Sequence, residues 1–165
     1  MFDRSVLFVG AEGVGLGMLA EALALDCARN AAGPMPLRVY SATTSDAAQS
    51  DPVLLRAMQR LKLDTNGLSL KPLALYAFAG APRIDHVIML GAKLPAATKL
   101  ALGDTIDVRT WDVTPPSISD KDDAPGTRYV DYLRLADELR APVKALVEEL
   151  TAMDAVADNP LANSA

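Results

Sequence analysis

Four of the ten glycines in this 165-residue chain fall within eight consecutive residues, Gly10-Ala11-Glu12-Gly13-Val14-Gly15-Leu16-Gly17. Backbone N–H groups without a neighbouring Cβ, set at the start of a helix, make a cradle for an anion such as phosphate. Two common versions of that cradle do not fit. A Walker loop needs Lys followed by Ser or Thr, and no basic residue occurs between Arg4 and Arg29. A dinucleotide loop needs G-x-G-x-x-G and an acidic residue closing the second strand. Here the spacing is Gly13-x-Gly15-x-Gly17, and the second strand closes Tyr40-Ser41-Ala42-Thr43-Thr44.

Other reactive side chains are sparse. Cys27 is the single cysteine and falls on the apolar stripe of the helix after the loop, so it reads as an inert core thiol. The single histidine, His86, stands between apolar neighbours in a strand pattern, which suits a packed histidine better than a catalytic one. Asp120, Asp122 and Asp123 lack the ligand spacing and glycine turn of a calcium loop and read as a solvated segment. Asp137-Glu138 and Glu148-Glu149 read as solvated helix faces.

The elements that must position these residues alternate. Ser5 to Val9 is a non-alternating apolar run, the pattern of a strand buried on both faces. Leu16, Leu19, Ala20, Leu23 and Cys27 recur at helical spacing after it. Leu37 to Ala42 predicts a second strand, and Asp51-Pro52 a helix opened by a capping residue with proline at its first position. A short helix around Pro72 to Ala79, a strand over Ile84 to Leu90, a helix over Leu94 to Leu102 and a better alternating edge strand over Thr105 to Trp111 follow. Leu135, Leu139, Val143, Leu146 and Leu150 mark a closing helix in which Pro142 predicts a kink or break. Strands alternating with helices imply a mostly parallel sheet whose ligands bind at the carboxyl ends of its strands. Residues 1–152 read as one domain and 153–165 as a loose tail.

The segment VLFVGAEGVGLGMLAEAL, residues 6 to 23, resembles the opening of the low-molecular-weight protein tyrosine phosphatases and thioredoxin-coupled arsenate reductases: a hydrophobic strand, Cys-x5-Arg-Ser, then a Met-Ala-Glu-Ala-like helix. Tyr40-Ser41-Ala42, Asp51-Pro52, Ser69-Leu70-Lys71-Pro72-Leu73, Ile84 to Met89, Trp111-Asp112-Val113 and Tyr132 to Leu139 extend the resemblance in order over most of the chain. It implies a four-stranded parallel sheet in the order 2-1-3-4 with helices on both faces. It also implies a cysteine nucleophile, an arginine clamp, a serine supporting the thiolate and an Asp-Pro general acid. At those positions the chain has Gly10, Leu16, Gly17 and, near Asp112, Thr114-Pro115-Pro116. The phosphotransferase-system B components share a related opening but also require a cysteine where Gly10 stands.

The resemblance therefore implies a pseudophosphatase: no enzyme, no cofactor, no metal, and a protein-interaction or regulatory role. A small-molecule or anion sensor using the cleft at loop 10–17 is the alternative, and an enzyme with relocated catalytic residues the second alternative. Glu12 within the loop should repel an anion, so binding of phosphate there is expected to be weak. Half the residues are hydrophobic and 22% are charged, which excludes a disordered acidic chain, and one cysteine excludes a disulfide framework. A net charge of −5 gives no electrostatic case for nucleic acid or an anionic membrane as partner. No apolar run approaches the ~20 residues of a membrane span, and no leader is expected before the first strand, so the expected location is cytoplasmic.

Overall fold

The computed structural model describes residues 4–10, 15–31, 36–44, 51–91, 93–114, 116 and 126–157. Four strands form one parallel sheet: β1 (Arg4–Gly10), β2 (Leu37–Thr43), β3 (His86–Leu90) and β4 (Asp107–Trp111), in the spatial order β2-β1-β3-β4. Gly10 is level with Thr43 on one side and Leu90 on the other, and Leu90 is level with Trp111, so all four strands end together at one carboxyl edge. Among the described residues, helices α1 (Leu16–Asn30), α2 (Pro52–Arg60), α3 (Ala96–Leu102) and α4 (Thr127–Ala157) accompany the sheet, with a 3-10 turn at Leu73–Tyr76.

Side chains two residues apart share a sheet face, which divides the core into two layers. Val6, Phe8, Ile88 and Leu90 join α1, α2 and α4 through Leu19, Leu23, Leu54, Met58, Tyr132 and Leu146. Leu7, Val9, Val87 and Met89 occupy the other face under Leu73 and Tyr76 of the 3-10 turn, with Leu94, Leu102 of α3 and Ile106 packed against them. β1 and β3 are thus covered twice, which is why neither alternates in polarity.

Local signals account for the boundaries. The Asp51 side chain accepts a hydrogen bond from the Val53 N–H at 3.0 Å and Pro52 takes the first position of α2, so both predicted devices operate. The predicted helices over 72–79 and 94–102 shorten to Leu73–Tyr76 and Ala96–Leu102. The closing helix is not broken at Pro142, which lies inside one continuous element, and it runs through Ala157, into the stretch expected to be a tail. Residues 158–165 lie outside the described residues. No helix among the described residues is long and apolar enough to cross a membrane.

Candidate functional site

The carboxyl edge is where β1 runs into the glycine-rich loop. Of that loop, Gly10, Gly15, Leu16 and Gly17 are described; Ala11, Glu12, Gly13 and Val14, and with them the expected repulsion by Glu12, lie outside the described residues. Gly15 is the N-cap of α1, in left-handed backbone geometry and with no side-chain cap. Its carbonyl already accepts the Leu19 N–H at 3.2 Å.

The backbone around Gly10 and Gly17 is closed in. A Cβ built on Gly10 would lie 3.1 Å from the Gly17 nitrogen and 3.3 Å from Leu16 Cβ. One built on Gly17 would lie 2.8 Å from the Phe8 carbonyl oxygen and 2.9 Å from that of Ala42. Leu16 is wholly buried and belongs to the core shared with α2 and α4, so its side chain fills the interior. The first turn of α1 is seated directly on the backbones of β1 and β2.

On the far side of the edge, Asp112 and Thr114 follow β4 and are exposed, Pro115 lies outside the described residues, and Pro116 is buried. Strand spacings of 4.7–4.9 Å put the end of β4 roughly 10 Å from the end of β1. Between α2 and α4 at this end, Asp51 is buried and heavily engaged. Tyr132 donates its hydroxyl to Oδ2 at 2.7 Å, and Arg128 Nε lies 2.8 Å from the same oxygen. Burial, then the bond to Asp51, push the Tyr132 phenol far above its ordinary value.

The remaining candidates are elsewhere. Cys27 is half-buried against the core eleven residues along α1 from Leu16, about 16 Å by helical rise, and burial followed by the neighbouring Asp26 pushes its thiol up. His86 begins β3, level with Val6, about 13 Å below the end of β1. It is buried, as a packed histidine, with Nδ1 donating to Asp107 Oδ2 at 3.1 Å. Asp107 also accepts from Arg109 Nε at 3.0 Å, and Arg109 forks onto both oxygens of Glu149 at 2.8 Å. This four-residue chain, which sequence reasoning missed, ties the edge strand to α4; its links from His86 to Asp107 and from Arg109 to Glu149 span 21 and 40 positions and carry no local signature. Sequence reasoning also missed Glu21 on α1, which accepts a hydrogen bond from Ser41 of β2. Burial raises the Glu21 carboxyl, against the opposing effects of Ser41 and Lys71. Asp120, Asp122 and Asp123 lie outside the described residues, and no group of three or more metal-ligating side chains occurs among the described ones.

No protein-family model matches the sequence, and no curated protein matches it. Solved structures do match in three dimensions. A protein tyrosine phosphatase from Entamoeba histolytica superposes with a TM-score of 0.66 at 13% identity, over 92% of this chain and 99% of that one. A low-molecular-weight phosphotyrosine phosphatase from Vibrio cholerae gives 0.60 at 18% identity, covering 88% of this chain and 95% of that one. An arsenate reductase from Archaeoglobus fulgidus gives 0.56 at 22% identity, covering 87% and 98% respectively. From end to end of its four-stranded sheet, this chain has the fold of the low-molecular-weight tyrosine phosphatases and arsenate reductases.

Proposed function

We propose that this chain is a non-catalytic protein on the phosphatase fold, acting in the cytoplasm by binding and regulating a protein partner. The observation that carries the reading is the packing of Gly10, Leu16 and Gly17. At the end of β1, where the resemblance puts a thiolate, Gly10 offers no atom that can attack phosphorus or arsenic. Where it puts a guanidinium, Leu16 is buried in the core. Where it puts a hydroxyl, Gly17 has two backbone oxygens within 3 Å of any Cβ. Nucleophile and clamp act as a unit, and loss of either costs orders of magnitude in rate. Cys27 does not replace the nucleophile, being about 16 Å along the helix with a raised pKa.

Hydrolysis of an aryl phosphate and thioredoxin-coupled reduction of arsenate test the reading. Neither should exceed the buffer rate across a gel-filtration peak, and turnover that tracks the protein would overturn it. Calorimetric titration with phosphate at low salt separates the regulatory role from an anion sensor. Dissociation in the millimolar range or weaker is expected, since a helix N-terminus alone contributes roughly 0.3 to 1 kcal/mol to an exposed anion. Micromolar affinity would replace the protein partner with a small anion.

A further inference from the structure

A cleft of about 360 Å³ separates the last residues of β4 from the middle of α4, outside the glycine-rich loop. Leu135 and Leu139 of α4 form its apolar floor, and the half-buried indole of Trp111 forms one wall, braced by Phe8 with ring centroids 6.1 Å apart. Two carboxylates stand at the mouth. Asp112 is exposed and has no partner among the described residues. Glu138 is exposed and only loosely held, its Oε1 3.8 Å from Arg134 Nη1. Pro142, also in the wall, has no N–H to give the Glu138 carbonyl one turn earlier, so its helical donor is missing. Acceptors, negative charge and an aromatic face thus meet in one apolar recess, the environment that suits a cationic side chain.

The strand beside the cleft supplies a second feature. β4 is a terminal strand of the sheet. Asp107 donates its N–H to Asp85, and the Trp111 carbonyl accepts from Gly91, both bonds directed toward β3 at 3.1 Å. Because N–H and C=O of one residue point the same way, Val108 and Thr110 direct theirs out of the sheet, where no described residue meets them. Thr110 is exposed and borders the cleft.

We propose that β4 and the Trp111–Glu138 cleft together form a docking site for an extended basic peptide, which adds to the edge at Val108 and Thr110 and places one arginine or lysine side chain between Trp111, Asp112 and Glu138. Main-chain pairing would supply affinity and the acidic aromatic recess the selection for positive charge. The site is independent of whether the glycine-rich loop is catalytic.

Trp111 is the single tryptophan, so its emission reports the site directly. The probe is an acetylated, amidated seven-residue peptide of alternating valine and threonine with one central arginine. It should produce a saturable change in emission. The same peptide with citrulline for arginine, and the arginine peptide N-methylated at alternate bonds, should each bind at least about tenfold more weakly. The double variant Asp112→Asn, Glu138→Gln should lose about tenfold toward the arginine peptide and be unchanged toward the citrulline one. Both positions are exposed, so its thermal unfolding should match that of the parent. Absence of a saturable change, equal binding of the arginine and citrulline peptides, or indifference to N-methylation would each overturn the proposal.

Discussion

Replacing Gly17 by alanine adds one methyl group where the first turn of α1 is seated on the backbones of β1 and β2. The new Cβ would sit 2.8 Å from the Phe8 carbonyl oxygen, 2.9 Å from that of Ala42 and 3.4 Å from Ser41 Cβ. Ordinary carbon–oxygen contacts begin at about 3.3 Å, so two oxygens must each recede by roughly half an ångström. Neither is free to do so, because β1 and β2 are locked in register, Phe8 level with Ser41 and Val9 with Ala42. Overpacking of this kind costs about 1–3 kcal/mol, and the helix-propensity gain of alanine over glycine returns about 1. With two backbone oxygens involved, we expect a net loss of about 1–2 kcal/mol. For a chain of this length that lowers the melting temperature by roughly 3–8 °C. Thermal and urea unfolding of the Gly17→Ala protein measure it, with an unchanged urea slope showing that the denatured state is unaltered. An unchanged or raised melting temperature would refute the reasoning, showing that α1 can lift from the strands and that a serine would fit as readily. The triple change Gly10→Cys, Leu16→Arg, Gly17→Ser would then become a route to an active enzyme; with the packing described, it yields a destabilised protein instead.

On the proposed non-catalytic reading, Gly10→Cys alone should leave aryl phosphate hydrolysis at the buffer rate, because Leu16 and Gly17 supply neither a clamp nor a supporting hydroxyl; steady-state assay with a nitrophenyl ester checks this. Tyr132→Phe should cost about 1 kcal/mol in urea unfolding by removing the 2.7 Å bond to buried Asp51, and no loss would show the hydroxyl to be idle. Glu21→Gln carries a pH signature. The folded carboxyl is raised above its ordinary 4.5, so its contribution is fully present below that value and is lost as pH rises through the folded pKa. The advantage of the glutamine variant should therefore be near zero in acid and grow toward neutral pH, as measured by melting temperature; a constant difference would remove Glu21 from the pH dependence.

Most of the sheet was legible because its signals are local. The unbroken apolar run from Val6 to Val9 requires cover on both faces and finds it, and the better alternation before Trp111 marks the edge strand that β4 is. Asp51-Pro52 placed a helix start to the residue. The same Asp51 was not legible as the anchor of Tyr132, 81 positions later, nor was the bond between His86 and Asp107, because such partners are chosen by packing across the fold. The last turns of α4, past Leu150, were missed because Thr151 to Ala157 has no apolar stripe. The residue types at Gly10, Leu16 and Gly17 could be read from the sequence alone, whereas the inward packing of Leu16 and the contact beneath Gly17 could not. The cleft beside Trp111 is assembled from two segments more than twenty residues apart, and only Pro142 hinted that α4 has an unusual wall there.

The position of α4 in the chain has a consequence for how the molecule is made. Tyr132, Leu135, Leu139, Val143, Leu146 and Leu150 share one core with Val6, Phe8 and Ile88, yet they leave the ribosome after all four strands have been made. At synthesis rates of about 5–20 residues per second, a chain already carrying all four strands waits several seconds with that sheet face wet. Pairing of β1 with β3, some eighty positions apart, adds a loop whose closure is slow for the same reason. During vectorial synthesis the exposed face is a natural client surface for a chaperone, and a ribosome stalled near residue 130 should hold a nascent chain that proteases cut readily, whereas one stalled beyond Ala157 with room to emerge should resist them.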